Sequence, residues 1–227
     1  MLARNVALQA EVPRPDRTEV APMPLIRVRA CLHAVDGSDL YVPTLVALGT
    51  GLRRGEVLGL RWRDIDLDAR TACVARTLQT DMSFTPPKSH RTRTFTVPGF
   101  VADALRAHSS QQAARRLRCG SAWAELDLVC DRGDGRPVRP WSLTQRFGRA
   151  MARAGIDLTF HELRHGNATL LLDAGVALKV TQVRLGHSTI GVTADTYTHV
   201  ADDVDRDAAA RLDAHMGAVV ASVCGSS

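Results

Sequence analysis

An α+β fold, mostly helical with one small antiparallel β-sheet, is what this sequence of 227 residues predicts. Apolar residues recur at helical spacing over most of the chain, and β-branched alternation is confined to residues 71–97. No internal repeat is visible. A hydrophobic share of 45% and a charged share of 23% suit an ordinary globular protein, and the length allows one good core or a main domain with an appendage.

Each element can be justified in turn. Residues 1–23 mix Pro13, Pro15 and Pro22 with charges and hold no sustained period, so they read as a linker. From Pro24, Leu25, Val28, Leu32 and Val35 fall at helical spacing up to Asp36-Gly37. Residues 40–48 predict a second helix, apolar all round, stopped at Gly49-Thr50-Gly51, and a short third helix follows over residues 53–60. Residues 71–78 and 93–97 alternate and are rich in Thr and Val, which predicts strands. Between them Thr85-Pro86-Pro87-Lys88 predicts a short middle strand demoted by its prolines, with Lys88 near a turn. Helices are then expected over residues 100–118, 141–154, 161–173, 177–185 and about 191–199, with an Ala-rich helix from 201 to about 220. That last helix is expected to pack on this domain or on a neighbouring copy.

Bulk properties narrow the function classes. The first residues, Met1-Leu2-Ala3-Arg4-Asn5, lack the pattern of a signal peptide, and no stretch is apolar enough to span a membrane. A cytoplasmic protein is therefore expected. Five scattered cysteines without a C-x-x-C pair predict free thiols rather than a disulfide framework or a zinc knuckle. A net charge of +5 and a pI near 9.3 favour a polyanionic partner. Of 29 cationic residues only Lys88 and Lys179 are lysines, which singles out each lysine, because a guanidinium cannot give up a proton at neutral pH.

The chemistry concentrates in residues 160–200. His161-Glu162-Leu163-Arg164-His165 opens that stretch, Leu185-Gly186-His187 lies at its middle, and Thr196-Tyr197-Thr198-His199 closes it. Upstream, Gly49-Thr50-Gly51-Leu52-Arg53 delivers a guanidinium at a helix start, with Glu56 one turn on to hold it. Arg53 and Arg164 could grip a phosphate between two forks, and His161 lies one turn back from Arg164 on the same face. An ordinary Arg53–Glu56 surface pair, and a salt bridge from Arg164 to a core acid, are the structural alternatives. Lys88 could protonate a leaving oxygen or be a solvated hairpin lysine. Tyr197 could be a nucleophile, if cations or a histidine lower its pKa from about 10, or a buried structural tyrosine. His187 could hydrogen-bond a phosphate or cap a helix. His161 to His165 also fits H-E-x-x-H, the zinc-hydrolase pattern, but Ala168 and Leu171 stand where the extended motif wants Gly and His.

Taken together these boxes resemble the catalytic domain of the tyrosine recombinases, the phage-integrase family, over about residues 24–215. Thr50 to Asp66 resembles the family's first-arginine box, Pro87-Lys88-Ser89-His90 its β-hairpin lysine, His161 to His165 its H-x-L-R-H box, and Leu185 to Val200 its histidine and nucleophile box. The resemblance implies a catalytic domain over residues 24–200, preceded by a linker or remnant of a core-binding domain at 1–23 and followed by a helix and tail at 201–227. It implies that Tyr197 attacks a phosphodiester to give a 3′-phosphotyrosyl link. Arg53 and Arg164, with His161 and His187, would stabilise the phosphorane, and Lys88 would protonate the leaving 5′ oxygen, supported by Glu56 and His165. No metal or other cofactor is implied. The partner is double-stranded DNA, bound as a homotetramer on paired sites, with no membrane involved. Only about 23 residues precede the first helix, so weaker, salt-sensitive DNA binding than that of a full clamp is expected. The competing readings are an inactive or truncated DNA-binding protein of the same fold, a topoisomerase using the same chemistry and, remotely, a zinc hydrolase.

Overall fold

The structure, a computed structural model, describes residues 23–87, 93–185 and 198–224. Helix α1 (Leu25–Val35) starts behind Pro24, whose fixed φ suits a helix entrance, and hides Val28, Cys31, Leu32 and Val35. Helix α2 (Tyr41–Thr50) is buried continuously from Pro43 to Thr50, as its unbroken apolar run predicts. It lies at the centre of the molecule, against α1, α4 (Gly99–Cys119), α6 (Glu162–Asp173) and the short α3 (Arg54–Gly59). Gly55 in α3 is required by close approach, since a Cβ there would stand 2.7 Å from the Leu78 carbonyl. This contact lets α3 lie flat on the strand beneath it.

The expected single sheet is instead two. Strands β1 (Ile65–Asp66), β2 (Thr71–Val74) and β5 (Arg93–Thr96) form an antiparallel sheet in the order β1-β2-β5, with Val74 opposite Arg93. Strands β3 (Thr77–Leu78) and β4 (Phe84–Thr85) make a separate hairpin. The run 71–78 divides at Arg76, whose Nε donates to the Gly59 carbonyl at 3.0 Å while its guanidinium lies 4.0 Å over the Phe84 ring. Beyond Thr85 come Pro86 and Pro87, which have no N–H to give a ladder, so the expected middle strand ends where they begin. Lys88 lies just outside the described residues.

Helix α5 (Pro140–Arg153) turns Leu143, Phe147 and Met151 inward, and Phe147 meets Phe160 edge-on at 5.4 Å. After α6 come α7 (Leu178–Leu185) and α8 (Thr198–Cys224). The helix expected over 191–199 falls almost wholly outside the described residues. Helix α8 packs back on its own chain, against α1, α4, α6, α7 and β5, so the expected Ala-rich tail is part of the common core. Leu212, Met216 and Val223 are fully buried there, and burial of each such side chain stabilises by about 1.5–3 kcal/mol. Asp213 adds a polar fastening, its Oδ1 accepting the Phe100 N–H at 2.9 Å in the first turn of α4. Among the described residues no helix is long and apolar enough to cross a membrane, and Cys31, Cys73, Cys119 and Cys130 are free thiols.

Candidate active site

Two tight structural devices deliver the first arginine. Helix α2 ends at Thr50, and Gly51 turns the chain in the left-handed region at φ 68°. A side chain at Gly51 would be strained there, and its Cβ would stand 2.4 Å from Leu185 Cδ2 and 2.7 Å from Asn167 Oδ1. Leu52 is then driven into the core, which leaves Arg53 on the opposite side with 45% of its side chain exposed. Arg53 is the residue before α3, and Glu56 at the third helical position reaches back to accept its backbone N–H at 2.9 Å. The same carboxylate takes the Arg53 Nη1–H at 3.2 Å.

Glu56 is only 6% exposed, so this is not an ordinary surface pair. Its Oε2 also lies 3.7 Å from Arg93 Nη2, and one buried carboxylate thus stands between two guanidiniums. Arg93 was not among the sequence candidates. Alternation in β5 gives no reason to prefer it over its neighbours, and its partner Glu56 lies 37 residues away, so no local signal marks it. Burial lowers the Arg93 pKa from its ordinary value, the Arg53 and Arg184 cations lower it further, and Glu56 opposes them.

Arg164 approaches from below. It is 5% exposed and has no ion pair among the described residues; its Nη1 donates to the Gly51 carbonyl at 2.5 Å and its Nη2 to the Leu185 carbonyl at 2.6 Å. The expected alternative, a salt bridge to a core acid, is therefore not what holds it. Burial, with the nearby Arg53 and Arg93 charges, pushes its pKa down to about 10 against the pull of Glu56, so it remains a cation at neutral pH. Asn167, one turn on, donates to the Leu48 carbonyl at 2.7 Å and fastens α6 to α2. Its i, i+3 spacing from Arg164 was a signal available in the sequence.

His161 is exposed above Arg164 and meets His165 edge-on, ring centres 5.2 Å apart. Partial burial, then His165, Arg164 and Arg53, hold His161 below the ordinary imidazole value, with Glu162 pulling the other way. A neutral imidazole can both donate a hydrogen bond and accept a proton. The Glu162 that H-E-x-x-H would make a base is engaged elsewhere: its Oε2 accepts the Thr159 N–H at 2.6 Å and fastens the turn that leads into α6. Among the described residues no three His, Cys, Asp or Glu side chains are grouped to hold a metal ion.

The described site therefore brings together Arg53, Glu56, His161, Arg164 and His165, and adds Arg93. Lys88, His187 and Tyr197 lie outside the described residues; β5 begins at Arg93, five residues after Lys88, and α8 starts at the residue following Tyr197. Three guanidiniums near one carboxylate leave a net positive charge where α3, β5 and α6 meet. Such a grouping suits a phosphate group.

The model of the phage integrase family matches residues 28–203. Over 200 residues the chain is 31% identical to a XerC-like tyrosine recombinase of Caldanaerobacter subterraneus subsp. tengcongensis, covering 81% of this chain and 51% of that protein. It is 30% identical over 209 residues to an integrase of Streptomyces ambofaciens, covering 86% and 53%. The chain thus spans about half the length of the curated relatives it matches. Among solved structures, the Tn1549 transposon integrase in complex with transposon right end DNA superposes with a TM-score of 0.65 at 22% identity, over 82% of this chain and 67% of that one. The integrase from mycobacterium phage Brujita does so with 0.65 at 23% identity, over 96% and 67%. These two share the fold.

Proposed function

Since this chain belongs to the phage integrase family, we propose that it cleaves and rejoins double-stranded DNA in site-specific recombination, without metal, through a 3′-phosphotyrosyl intermediate. The observation that carries this reading is Arg164: a buried guanidinium held by carbonyls, with Arg53 and Arg93 nearby and, among the described residues, Glu56 the one carboxylate in ion-pair contact with those two. A buried cation short of anionic partners is costly, and a scissile phosphate supplies the missing charge.

In this scheme the phosphate settles between the forks of Arg53 and Arg164, with His161 hydrogen-bonding a non-bridging oxygen. The Tyr197 phenol gives its proton to a neighbouring imidazole as its oxygen attacks phosphorus, and the bond to the 5′ oxygen breaks. Lys88 gives that oxygen its proton, so a free 5′-hydroxyl leaves. His187 contributes the second imidazole. Negative charge growing on the phosphorane meets donors already fixed by Gly51, Leu185 and Glu56, and little reorganisation is needed. The phosphotyrosyl link conserves the bond energy, and a 5′-hydroxyl from another strand reverses the step. Arg149 and Arg153 lie exposed on α5, a helix without an acidic residue, and extend the positive surface for the duplex. Four copies on paired sites, working in the cytoplasm where such DNA lies, complete the reading.

Relatives named as recombinases and integrases favour turnover over a merely DNA-binding protein of this fold. Incubation with a nicked suicide duplex followed by denaturing electrophoresis tests it. A covalent protein–DNA adduct is expected, abolished by Tyr197→Phe and unaffected by chelator. An adduct that persists in Tyr197→Phe would remove this nucleophile.

A further inference from the structure

Residues 186–197 run between the end of α7 and the start of α8, and they carry His187 near one end and Tyr197 at the other. The described residues on both flanks are fastened to each other. Arg184, in the last turn of α7, has a side chain only 1% exposed, and its Nη1 is ion-paired with Asp205 Oδ1 of α8 and donates to the Asp205 carbonyl at 3.2 Å. Its Nη2 donates to the Thr96 carbonyl at 2.6 Å. Asp205 Oδ2 in turn accepts the Thr96 N–H at 2.6 Å. Three elements, α7, α8 and β5, are thereby joined around one ion pair whose arginine is buried.

The location gives the pair its meaning. Thr96 belongs to the strand that begins with Arg93, and Arg93 stands against Glu56 in the arginine cluster. Leu185, adjacent to Arg184, gives its carbonyl to Arg164. The two flanks are thus registered to both arginine-bearing walls of the site. An ion pair with a buried arginine is a weak way to gain stability, because taking the charge out of water offsets much of the attraction. What the pair adds is direction, since a planar fork and a carboxylate meet in few geometries.

We propose that Arg184 and Asp205 are positioning residues for strand cleavage: by tying the end of α7 to the start of α8 and to β5, they set where Tyr197 and His187 are delivered to the phosphate. This rests on the recombinase reading above. Neither side chain touches DNA in this role.

The test uses the whole chain, the nicked suicide duplex, and three variants: Asp205→Asn, Arg184→Met, and Arg184→Met with Asp205→Leu. Each single variant leaves a buried group unpaired and lowers the melting temperature. The double variant removes both charges but leaves the Thr96 N–H and carbonyl without these partners, so it recovers only part of the loss. Displacing a nucleophile by about 1 Å costs roughly a hundredfold, so adduct formation in the double variant is expected to remain slowed by roughly ten- to a hundredfold. Its DNA dissociation constant stays within about twofold of wild type, since no phosphate contact has been lost. Deuterium uptake over 186–197, measured without DNA, rises in all three variants relative to wild type. A double variant that cleaves at the wild-type rate, at a temperature where it is fully folded, would overturn the proposal, as would unchanged deuterium uptake. Absence of any adduct from the wild-type chain would instead refute the recombinase reading, while the exchange comparison would still decide whether Arg184 and Asp205 fasten the two flanks.

Discussion

The turn that carries Arg53 and the helix that carries Arg164 deliver the same side chain by opposite means. Arg53 is half exposed and held by a carboxylate, which fixes the fork but also neutralises part of its charge. Arg164 is buried and held by two carbonyls, which fix the fork and leave its full charge in place. Carbonyl oxygens orient a cation without cancelling it, so Arg164 is the stronger electrostatic element and Arg53 the more accessible one. The contrast explains why Arg164 needs so much more of the fold behind it, including Gly51, Asn167 and the last residue of α7.

That contrast breaks most sharply at Arg164. In Arg164→Lys a single ammonium cannot span the Gly51 and Leu185 carbonyls as the fork does, so at least one buried acceptor is left unmatched, at about 1–3 kcal/mol. The loss of a fixed donor to the phosphorane costs roughly a hundredfold or more in adduct formation. Arg53→Lys is expected to match it in lost cleavage but not in lost stability, because its side chain is already half in water. Parallel thermal melts and single-turnover cleavage of the two variants would show the split. Equal destabilisation by both would mean that the carbonyl contacts of Arg164 do not matter.

Glu56→Gln probes the other side of the comparison and ranks second. The amide retains one acceptor for the Arg53 N–H, but the only carboxylate in ion-pair contact with Arg53 and Arg93 among the described residues is gone. Their mutual repulsion is then offset by no described carboxylate in contact with them, Asp205 acting on Arg93 only from a distance. We expect about 1–3 kcal/mol of lost stability, since a buried polar contact is left mismatched. Cleavage should fall less than in Arg164→Lys, with the deficit partly recovered by raising salt, which screens the repulsion. A loss insensitive to salt would assign Glu56 a purely steric role.

How far the sequence disclosed this arrangement follows from which forces are local. Arg53 and Glu56 were readable because a glycine turn followed by an i, i+3 acid is complete within one stretch. Arg164 was readable as a candidate, yet its partners were not, since the Gly51 and Leu185 carbonyls are backbone groups that look alike in any sequence. Helices came through where apolar spacing is strong, as in α1, α2 and α5. The division of residues 71–78 into strands of two sheets did not, because Arg76 is turned aside by the Gly59 carbonyl and the Phe84 ring, both set by tertiary packing. Arg93 and the Arg184–Asp205 pair were hidden for a related reason: their partners lie at Glu56, Thr96 and in another helix, beyond any local period.

The smallest expected effect compares a histidine beside the arginine cluster with one away from it. Burial holds His108, stacked on Trp62 with its Nε2 at 2.8 Å from the Val129 carbonyl, below the ordinary imidazole value, and the Arg115 charge adds to this. His161 is lowered by partial burial and then by His165, Arg164 and Arg53. For both, the unfolded chain takes up a proton more readily than the folded one. Their contributions to stability are therefore complete above the unfolded value of about 6.5 and are lost as the pH falls through the lower folded values. The melting temperature should drop between pH 7.5 and pH 5, and His108→Gln, whose amide can still donate to the Val129 carbonyl, should flatten part of that drop. His161→Gln should flatten it too in free protein. Saturating uncleaved duplex should reduce the His161 part alone, because a phosphate beside the imidazole favours its proton and raises its pKa. If DNA changes the acid limb equally in His161→Gln and in wild type, the phosphate does not sit beside that ring.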